Sequence, residues 1–350
     1  LNRIPTEFTV TIPNDMTAQY PASERDQSKL LVYDRSSAKV IHVGKFQDVT
    51  EFIAGDLIVV NDTKVVPARL GGHRPGGGKV DCLFINETEA MITPSRRLRP
   101  GMTLTLPEGA SFTLSGRHPD GHWLGEWRWD DPSSVFPPEA GILSLRAYLE
   151  QVGRAPLPPY IRRSPEPTDR QRYQTVYAKH LGSLAAPTAG LHFTKELMKG
   201  LEDRHSRIVR LTLDVGLGTF QPIRTDDLLK HRMHTERYHI PSETSDVVNQ
   251  AKLSGKSITV VGTTVVRALE AASQGGLPMQ SGEGYADLFI YPPYRFKVVD
   301  RLLTNFHRPD STLLQLMAAL IGWDGVNLTY QTAMDNGFHF YSYGDAMLVI

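Results

Sequence analysis

The sequence predicts a mixed α/β protein: a large three-layer α/β domain, residues 1–68 and 156–350, with a small inserted β-barrel domain, residues 69–155. Three observations predict it. Beyond Ile208, strand-like and helix-like runs alternate, the pattern of a sheet covered by helices. Residues 79–129 hold closely spaced short β-type runs with tight turns, which suit a barrel or sandwich. A proline-rich connector, Ala155–Asp169, separates the two textures.

The elements follow in order. Leu30–Tyr33 and Leu57–Val60 are apolar and β-prone, with the turn signal Gly55-Asp56 before the second. After Arg69 comes the glycine-rich loop Gly71–Gly78, then strand candidates Lys79–Ile85, Ala90–Pro94, Thr103–Leu106, Ser111–Gly116 and Trp123–Trp129. Asp120-Gly121 signals a hairpin, and Pro107 closes the strand that ends at Leu106. Ile142, Leu145, Leu149 and Val152 recur at helical spacing. Beyond the connector, Ile208–Val215 is a strand, Thr244–Leu253 a helix, Ser257–Val261 a strand and Thr264–Ala272 a helix. Asp287–Ile290 and Lys297–Val299 are expected strands. Asp310-Ser311-Thr312 caps a helix running to Gly322. Its apolar stretch Leu313–Ile321 falls short of the roughly 18 residues of a membrane span, so it reads as a buried helix and no membrane is expected.

Composition bounds the function. Lys plus Arg and Asp plus Glu each number 38, which excludes a strongly basic protein that coats nucleic acid but not a local basic patch. The single cysteine, Cys82, permits no disulfide framework within the chain and cannot hold an iron–sulfur cluster. It lies in the apolar run Val80–Ile85 and reads as inert. Leu1–Asp15 lacks the basic start and apolar core of a signal peptide, so a cytoplasmic location is expected.

Several motifs have two readings. Gly71–Val80 carries Lys79 but has Val80 where a phosphate-binding loop needs Ser or Thr, so a hairpin loop fits better. Leu213–Thr219 has the acid and glycines of a methyltransferase nucleotide motif, but Pro222 follows where a helix should start. A glycine turn lining another ligand pocket is the alternative. His231, His234, Glu236 and His239 cluster without any specific zinc spacing, so hydrogen bonding to substrate or backbone is preferred over metal. The junction Gly262-Thr263-Thr264 opens a helix carrying Arg267 and Glu270; it suits a bound carboxylate or phosphate, or equally a plain capped helix with a surface ion pair. Arg154–His180 holds six Lys/Arg against two acids, interleaved with Tyr160, Tyr173 and Tyr177. That mixture suits RNA loop recognition, or a solvated charged loop. Neither Gly-x-Ser-x-Gly nor His-Glu-x-x-His occurs.

Nine segments, in order along the chain, together resemble the S-adenosylmethionine:tRNA ribosyltransferase-isomerases of queuosine synthesis. They are Asn61–Arg69, Leu157–Ile161, Arg172–Ala178, Ala185–Thr194, Val215–Phe220, Met233–Glu236, Val261–Arg267, Thr304–His307 and Tyr341–Met347. Two positions depart from the family pattern: Asp214 stands where His is usual, and Arg308 where Leu is usual. The barrel is also short.

The resemblance implies a mixed α/β domain with an inserted barrel, S-adenosylmethionine as ribosyl donor, and no metal. It implies an acceptor, 7-aminomethyl-7-deazaguanine in the anticodon of tRNA, and an epoxycyclopentanediol product with adenine and methionine released. Under it, His192, His234, Glu236 and His307 are acid/base candidates, and Asp62 or Glu270 orients the ribose or amine. Gly190, Gly216 and Gly218 admit the ligand to the backbone, Gly262, Thr263, Thr264 and Arg267 hold the methionine carboxylate, and Asn305 contacts substrate. Arg162, Arg163, Arg172 and Lys179 meet tRNA phosphate, with Tyr173 and Tyr177 as stacking partners. Asp214 and Arg308 keep open a paralogue acting on another nucleobase; a non-catalytic RNA-binding protein and a methyltransferase are further alternatives. Oligomeric state is left open, a homo-oligomer included.

Overall fold

The computed structural model describes residues 5–129, 145–216, 218 and 233–350. The chain begins with β1 (Lys29–Asp34), β2 (Lys39–Lys45), α1 (Val49–Ile53), β3 (Leu57–Asn61) and β4 (Thr63–Val65). Next come β5 (Arg69–His73), β6 (Lys79–Asn86), β7 (Glu89–Thr93), β8 (Thr103–Thr105), β9 (Ala110–Arg117) and β10 (Trp123–Trp129). Then follow α2 (Leu145–Val152), α3 (Asp169–Arg172), β11 (His180–Ser183), α4 (Lys195–Asp203), β12 (Arg207–Leu213), β13 (Glu236–Ile240) and α5 (Ser242–Ser254). The last elements are β14 (Ile258–Val261), α6 (Thr263–Ala272), β15 (Gly282–Ala286), β16 (Arg301–Asn305), α7 (Thr312–Asp335) and β17 (Ala346–Val349). They divide into two units, one of Leu1–Lys64, Pro158–Arg163 and Arg172–Ile350, the other of Val65–Leu157 and Ser164–Gln171.

Alternation along the strands explains the larger unit. Leu31, Tyr33, Leu57, Val59, Met347 and Val349 enter one core with residues of α5, α6 and α7, such as Val248, Val265, Leu269 and Met317. Their neighbours Leu30, Val32, Ile58, Val60, Ala346 and Leu348 enter a second core with Phe46, Val49, Ile53, Phe193 and Leu201. Successive side chains of a strand point to opposite faces, so strands apolar at every position need cover on both sides. The result is three layers, as expected from the sequence, and each large apolar side chain buried contributes about 1.5–3 kcal/mol. Among the described residues the sheet has the order β15-β13-β12-β3-β14-β16-β17-β1-β2. Its centre, β12-β3-β14-β16, is parallel.

The smaller unit holds a closed barrel in the order β10-β7-β6-β5-β8-β9. Val80, Cys82 and Phe84 alternate inward on β6, and Ala110, Phe112 and Leu114 on β9. Phe84 and Phe112 meet edge to face at 5.2 Å. Burial pushes the Cys82 thiol up to about 12, consistent with an inert residue. The hairpin at Asp120-Gly121 joins β9 to β10, with Gly121 at φ 97.

Five expectations need correction. Gly71 and Gly72 are not loop but β5, paired with Asp81 and Val80; the turn lies beyond them, where Arg74 N donates to Gly78 O at 2.9 Å. Asp287–Ile290 and Lys297–Val299 are not strands. The amides of the second segment donate to the Glu270 carboxylate, so they are unavailable to a ladder. The helix capped by Ser311 does not stop at Gly322 but continues to Asp335; Gly322 at φ 71 only kinks it. The strand expected over Ile208–Val215 ends at Leu213. Ile142 lies outside the described residues.

Candidate active site

At β3 the strand order reverses, β12 lying on one side and β14 on the other. In a parallel sheet such a point leaves a crevice at the carboxyl ends of the strands. A solvent-open cleft is lined by residues that follow β12, β14 and β16, among them Val215, Gly262, Thr263, Thr264, Asn305 and His307.

β14 is buried throughout and must turn sharply to start α6. Gly262 does this at φ 91, ψ 150, a conformation open only to glycine, and its amide donates to Leu303 O at 2.8 Å. The Thr263 and Thr264 amides open α6 with no acceptor among the described residues. Their N–H groups lie at the positive end of the helix dipole, a setting for an anion. Thr264 Oγ1 accepts from Asn61 Nδ2 at 3.3 Å, and Asn61 Oδ1 accepts from Leu213 N at 3.0 Å. Asn61 thereby ties β3, β12 and α6 together under the cleft.

His307 follows β16. Its N donates to Tyr330 Oη at 2.7 Å and its O accepts from the same hydroxyl at 2.9 Å, which clamps the backbone. Nε2 is 2.8 Å from Thr304 Oγ1, while Nδ1 has no partner among the described residues. Burial lowers its pKa to about 3, so the ring is neutral. His192 is also lowered to about 3, by burial first and by Arg25 second. Both its ring nitrogens are engaged, Nδ1 with Ser28 Oγ at 2.7 Å and Nε2 with Asn305 Nδ2 at 3.2 Å. It stacks on Phe46 at 4.9 Å rather than lining the cleft.

Several expected site residues do structural work instead. Glu236 and Arg267 form a buried ion pair, and Arg267 also donates to Ala286 O at 2.9 Å. Neither is among the residues lining the cleft, and in the ion pair each neutralises the other. Glu270 is fully buried and accepts from Lys297, Val298 and Val299 amides and from Tyr294 Oη, which leaves no lone pair directed to substrate. The surface pair of Arg267 and Glu270 does not form either. Gly190 permits close packing against the Tyr177 hydroxyl, not ligand approach. Asp62 accepts from Thr212 Oγ1 at 2.7 Å and is buried away from the cleft. Asp214 accepts from Thr63 Oγ1 at 3.0 Å beside Gly182. Gly216 N donates to Glu236, Gly218 packs on the exposed His234, and His239 is exposed. Leu217, Thr219, Phe220, Pro222 and His231 lie outside the described residues.

The basic segment divides in the same way. Arg162 and Lys179 are exposed, and Arg163 lies over the Tyr20 ring at 4.1 Å. The Arg172 guanidinium donates to Ser23 O at 2.8 Å and Ala22 O at 2.6 Å, holding the chain in place. Tyr173 and Tyr177 are 1% and 9% exposed, so neither can stack on an RNA base from this surface. Burial of Tyr173, Thr175 and Tyr177 at alternate positions is a period-two signal that a reading based on charge passes over.

Sequence reasoning missed Tyr160, Arg308, Tyr341 and Ser342 as cleft residues. Tyr160 Oη meets Ser342 Oγ at 2.5 Å, and Arg308 pairs with Asp310 at 2.7 Å. Tyr341 adopts φ 75, costly for a bulky residue, and Asp345 fixes the turn by accepting from Lys29 N and His339 N at 2.7 Å each. Tyr160 and Tyr341 lie within segments that carry the family resemblance, the one available signal. Among the described residues no group of three or more His, Cys, Asp and Glu side chains could hold a metal, and no helix is long and apolar enough to cross a membrane.

Comparison with known proteins addresses the whole chain. A family model described as "Queuosine biosynthesis protein" matches residues 5–349. The S-adenosylmethionine:tRNA ribosyltransferase-isomerase of Trichlorobacter lovleyi is 42% identical, over 98% of this chain and 99% of its own length. That of Geobacter sulfurreducens is 44% identical over 98% and 99%. The crystal structure of S-adenosylmethionine tRNA ribosyltransferase from Thermotoga maritima matches with TM-score 0.54 and 30% identity, over 99% of this chain and 100% of that one. By full-length sequence match and shared architecture, the chain belongs to the queuosine biosynthesis family of S-adenosylmethionine:tRNA ribosyltransferase-isomerases.

Proposed function

We propose that the chain transfers and isomerises the ribosyl moiety of S-adenosylmethionine onto 7-aminomethyl-7-deazaguanine in the anticodon region of tRNA, in the cytoplasm. The product is epoxyqueuosine-tRNA, with adenine and methionine released. The observation that carries this reading is the cleft itself, where two helix-start amides without an acceptor among the described residues stand in one wall with a neutral histidine.

The chemistry assigns work to each. The sulfonium acidifies the adjacent ribose C5′ protons, and a base removes one to give an ylide. Its electrons open the sugar, and adenine leaves with a proton. The acceptor amine attacks the opened sugar, and ring closure expels methionine. Such a route needs an acid/base group and anion recognition in a site that limits water. Thr263 and Thr264 amides receive the methionine carboxylate, with Gly262 letting it approach. His307 is the acid/base candidate that lines the cleft, and the exposed His234 is the second. Arg162 and Lys179 are the exposed cations offered to tRNA phosphate.

Mass spectrometry tests the proposal. Incubation with S-adenosylmethionine and tRNA bearing 7-aminomethyl-7-deazaguanine is expected to release adenine and methionine and to add the matching mass to that base. Turnover on free deazaguanine but not on tRNA would instead support a different acceptor.

A further inference from the structure

Asn305 ends β16, is 2% exposed and forms part of the cleft wall. Its Nδ2 donates to Tyr341 O at 3.1 Å and Gly344 O at 3.3 Å, and faces His192 Nε2 at 3.2 Å. Its Oδ1 is buried with no hydrogen-bond partner among the described residues. Leaving such an oxygen unpaired is unfavourable, and buried carbonyls are rarely left so. Asn305 lines the cleft while this oxygen is itself closed to solvent, so a donor on the ligand meets it through a small movement of the wall.

The amide has only one workable orientation. Tyr341 O and Gly344 O can only accept, so the nitrogen must face them. His192 Nε2 has only this NH₂ group before it and takes a share of one of its two hydrogens, which places the ring proton on Nδ1. Nδ1–H points to Ser28 Oγ at 2.7 Å, and Ser28 passes its own hydrogen to Arg25 O at 3.3 Å. Burial keeps the imidazole neutral, and Phe46 stacks on it to hold its plane. An imidazolium would donate from both nitrogens and repel the Asn305 NH₂ group, favouring the flipped amide.

We propose that Ser28 and His192 act as positioning residues, locking Asn305 so that its Oδ1 accepts from the α-ammonium of the methionine moiety of S-adenosylmethionine. The inference rests on the donor reading above. It makes the cleft complementary to a zwitterion, with the carboxylate on the Thr263 and Thr264 amides and the ammonium on Asn305. It also removes His192 from proton transfer.

Calorimetric titration with S-adenosylmethionine and with its analogue bearing hydrogen in place of the α-ammonium tests this. The wild type is expected to prefer the natural compound by roughly 10- to 100-fold, the worth of a hydrogen bond to a charged group. Asn305→Leu should abolish the preference. His192→Leu should reduce it without touching the ligand, and Ser28→Ala should reduce it less. His192→Gln, whose amide oxygen can accept where Nε2 does, should recover most of it. In turnover these variants should raise KM for S-adenosylmethionine more than they lower kcat. A preference unchanged in Asn305→Leu overturns the ammonium contact, and one unchanged in His192→Leu overturns the relay; both leave the donor reading standing. A kcat loss of about 100-fold in His192→Gln with KM unchanged would return His192 to proton transfer and overturn its positioning role. Wild type that binds neither compound overturns the donor reading and this inference together. Should Asn305→Leu fail to fold, ¹⁵N resonances of the His192 ring decide: a neutral Nδ1–H tautomer at pH 7 is expected, and an Nε2–H tautomer or imidazolium overturns the relay.

Discussion

Thr263 and Thr264 open α6 with amides that no described residue accepts, while Arg267 and Glu270, further along the same helix, are closed on protein partners. All four are polar, all four are buried, and all four belong to one short stretch of sequence. Their fates differ because the helix turns. The first turn looks out from the carboxyl edge of the sheet into the cleft, and the next turns look towards β13, β15 and the segment 294–299. A polar residue near a ligand-binding turn is therefore not itself a ligand contact; what separates the two is whether its partners are already present in the chain.

That contrast can be broken most directly at Arg267. Arg267→Met should leave the Glu236 carboxylate buried and unpaired, costing about 3–5 kcal/mol in urea unfolding. A stable variant with a large rise in KM for S-adenosylmethionine would place Arg267 among the ligand contacts and erase the distinction. On the cleft side, Gly262→Ala forces a side chain into φ 91, ψ 150, for about 1–3 kcal/mol of strain, and should weaken donor binding by displacing the Thr263 and Thr264 amides. Lost stability with unchanged binding would argue that these amides are not used.

A gentler probe is acid. His192 and His307 fall from 6.5 to about 3 in the folded chain. The unfolded chain therefore takes up protons that the folded chain refuses. The stability they contribute is complete above pH 6.5 and is lost as pH falls from there towards 3. Each histidine adds at most about 1.4 kcal/mol per pH unit, so His192→Gln should flatten the acid limb by about one proton. Urea titrations between pH 6.5 and 5 measure this; a slope equal to that of the wild type would mean His192 is not buried neutral.

Much of the fold was legible because its signals are local. β1, β3, the barrel strands and the Gly-Thr-Thr start of α6 announce themselves by β-prone runs and turn residues. β15 does not: Gly282, Gly284 and Ala286 give it no apolar alternation, and its register comes from β13. Lys297–Val299 has the composition of a strand, yet its amides serve a carboxylate 27 to 29 residues earlier. The site was legible to the same extent. Gly262, Thr263, Thr264, Asn305 and His307, all singled out from the sequence, line the cleft. Ser28 could not be found, because it meets His192 across 164 residues of sequence, and neither could the backbone of Tyr341, whose strain is set by Asp345 and Asn305.

The place of β17 has a consequence for synthesis. Ala346–Val349 lies between β16 and β1, antiparallel to the first and parallel to the second, and Ile350 N donates to Tyr33 O at 3.0 Å. The hairpin of β1 and β2 leaves the ribosome early but can join the rest of the sheet only through these late residues. Until they emerge, the edges of β1 and β16 that β17 will cover are exposed to other chains, and the closing contacts join residues as distant as Leu30 and Ala346. Loss of those few residues would therefore divide the sheet in its interior, detaching the β1–β2 pair that carries Leu30 and Leu31 into the two cores.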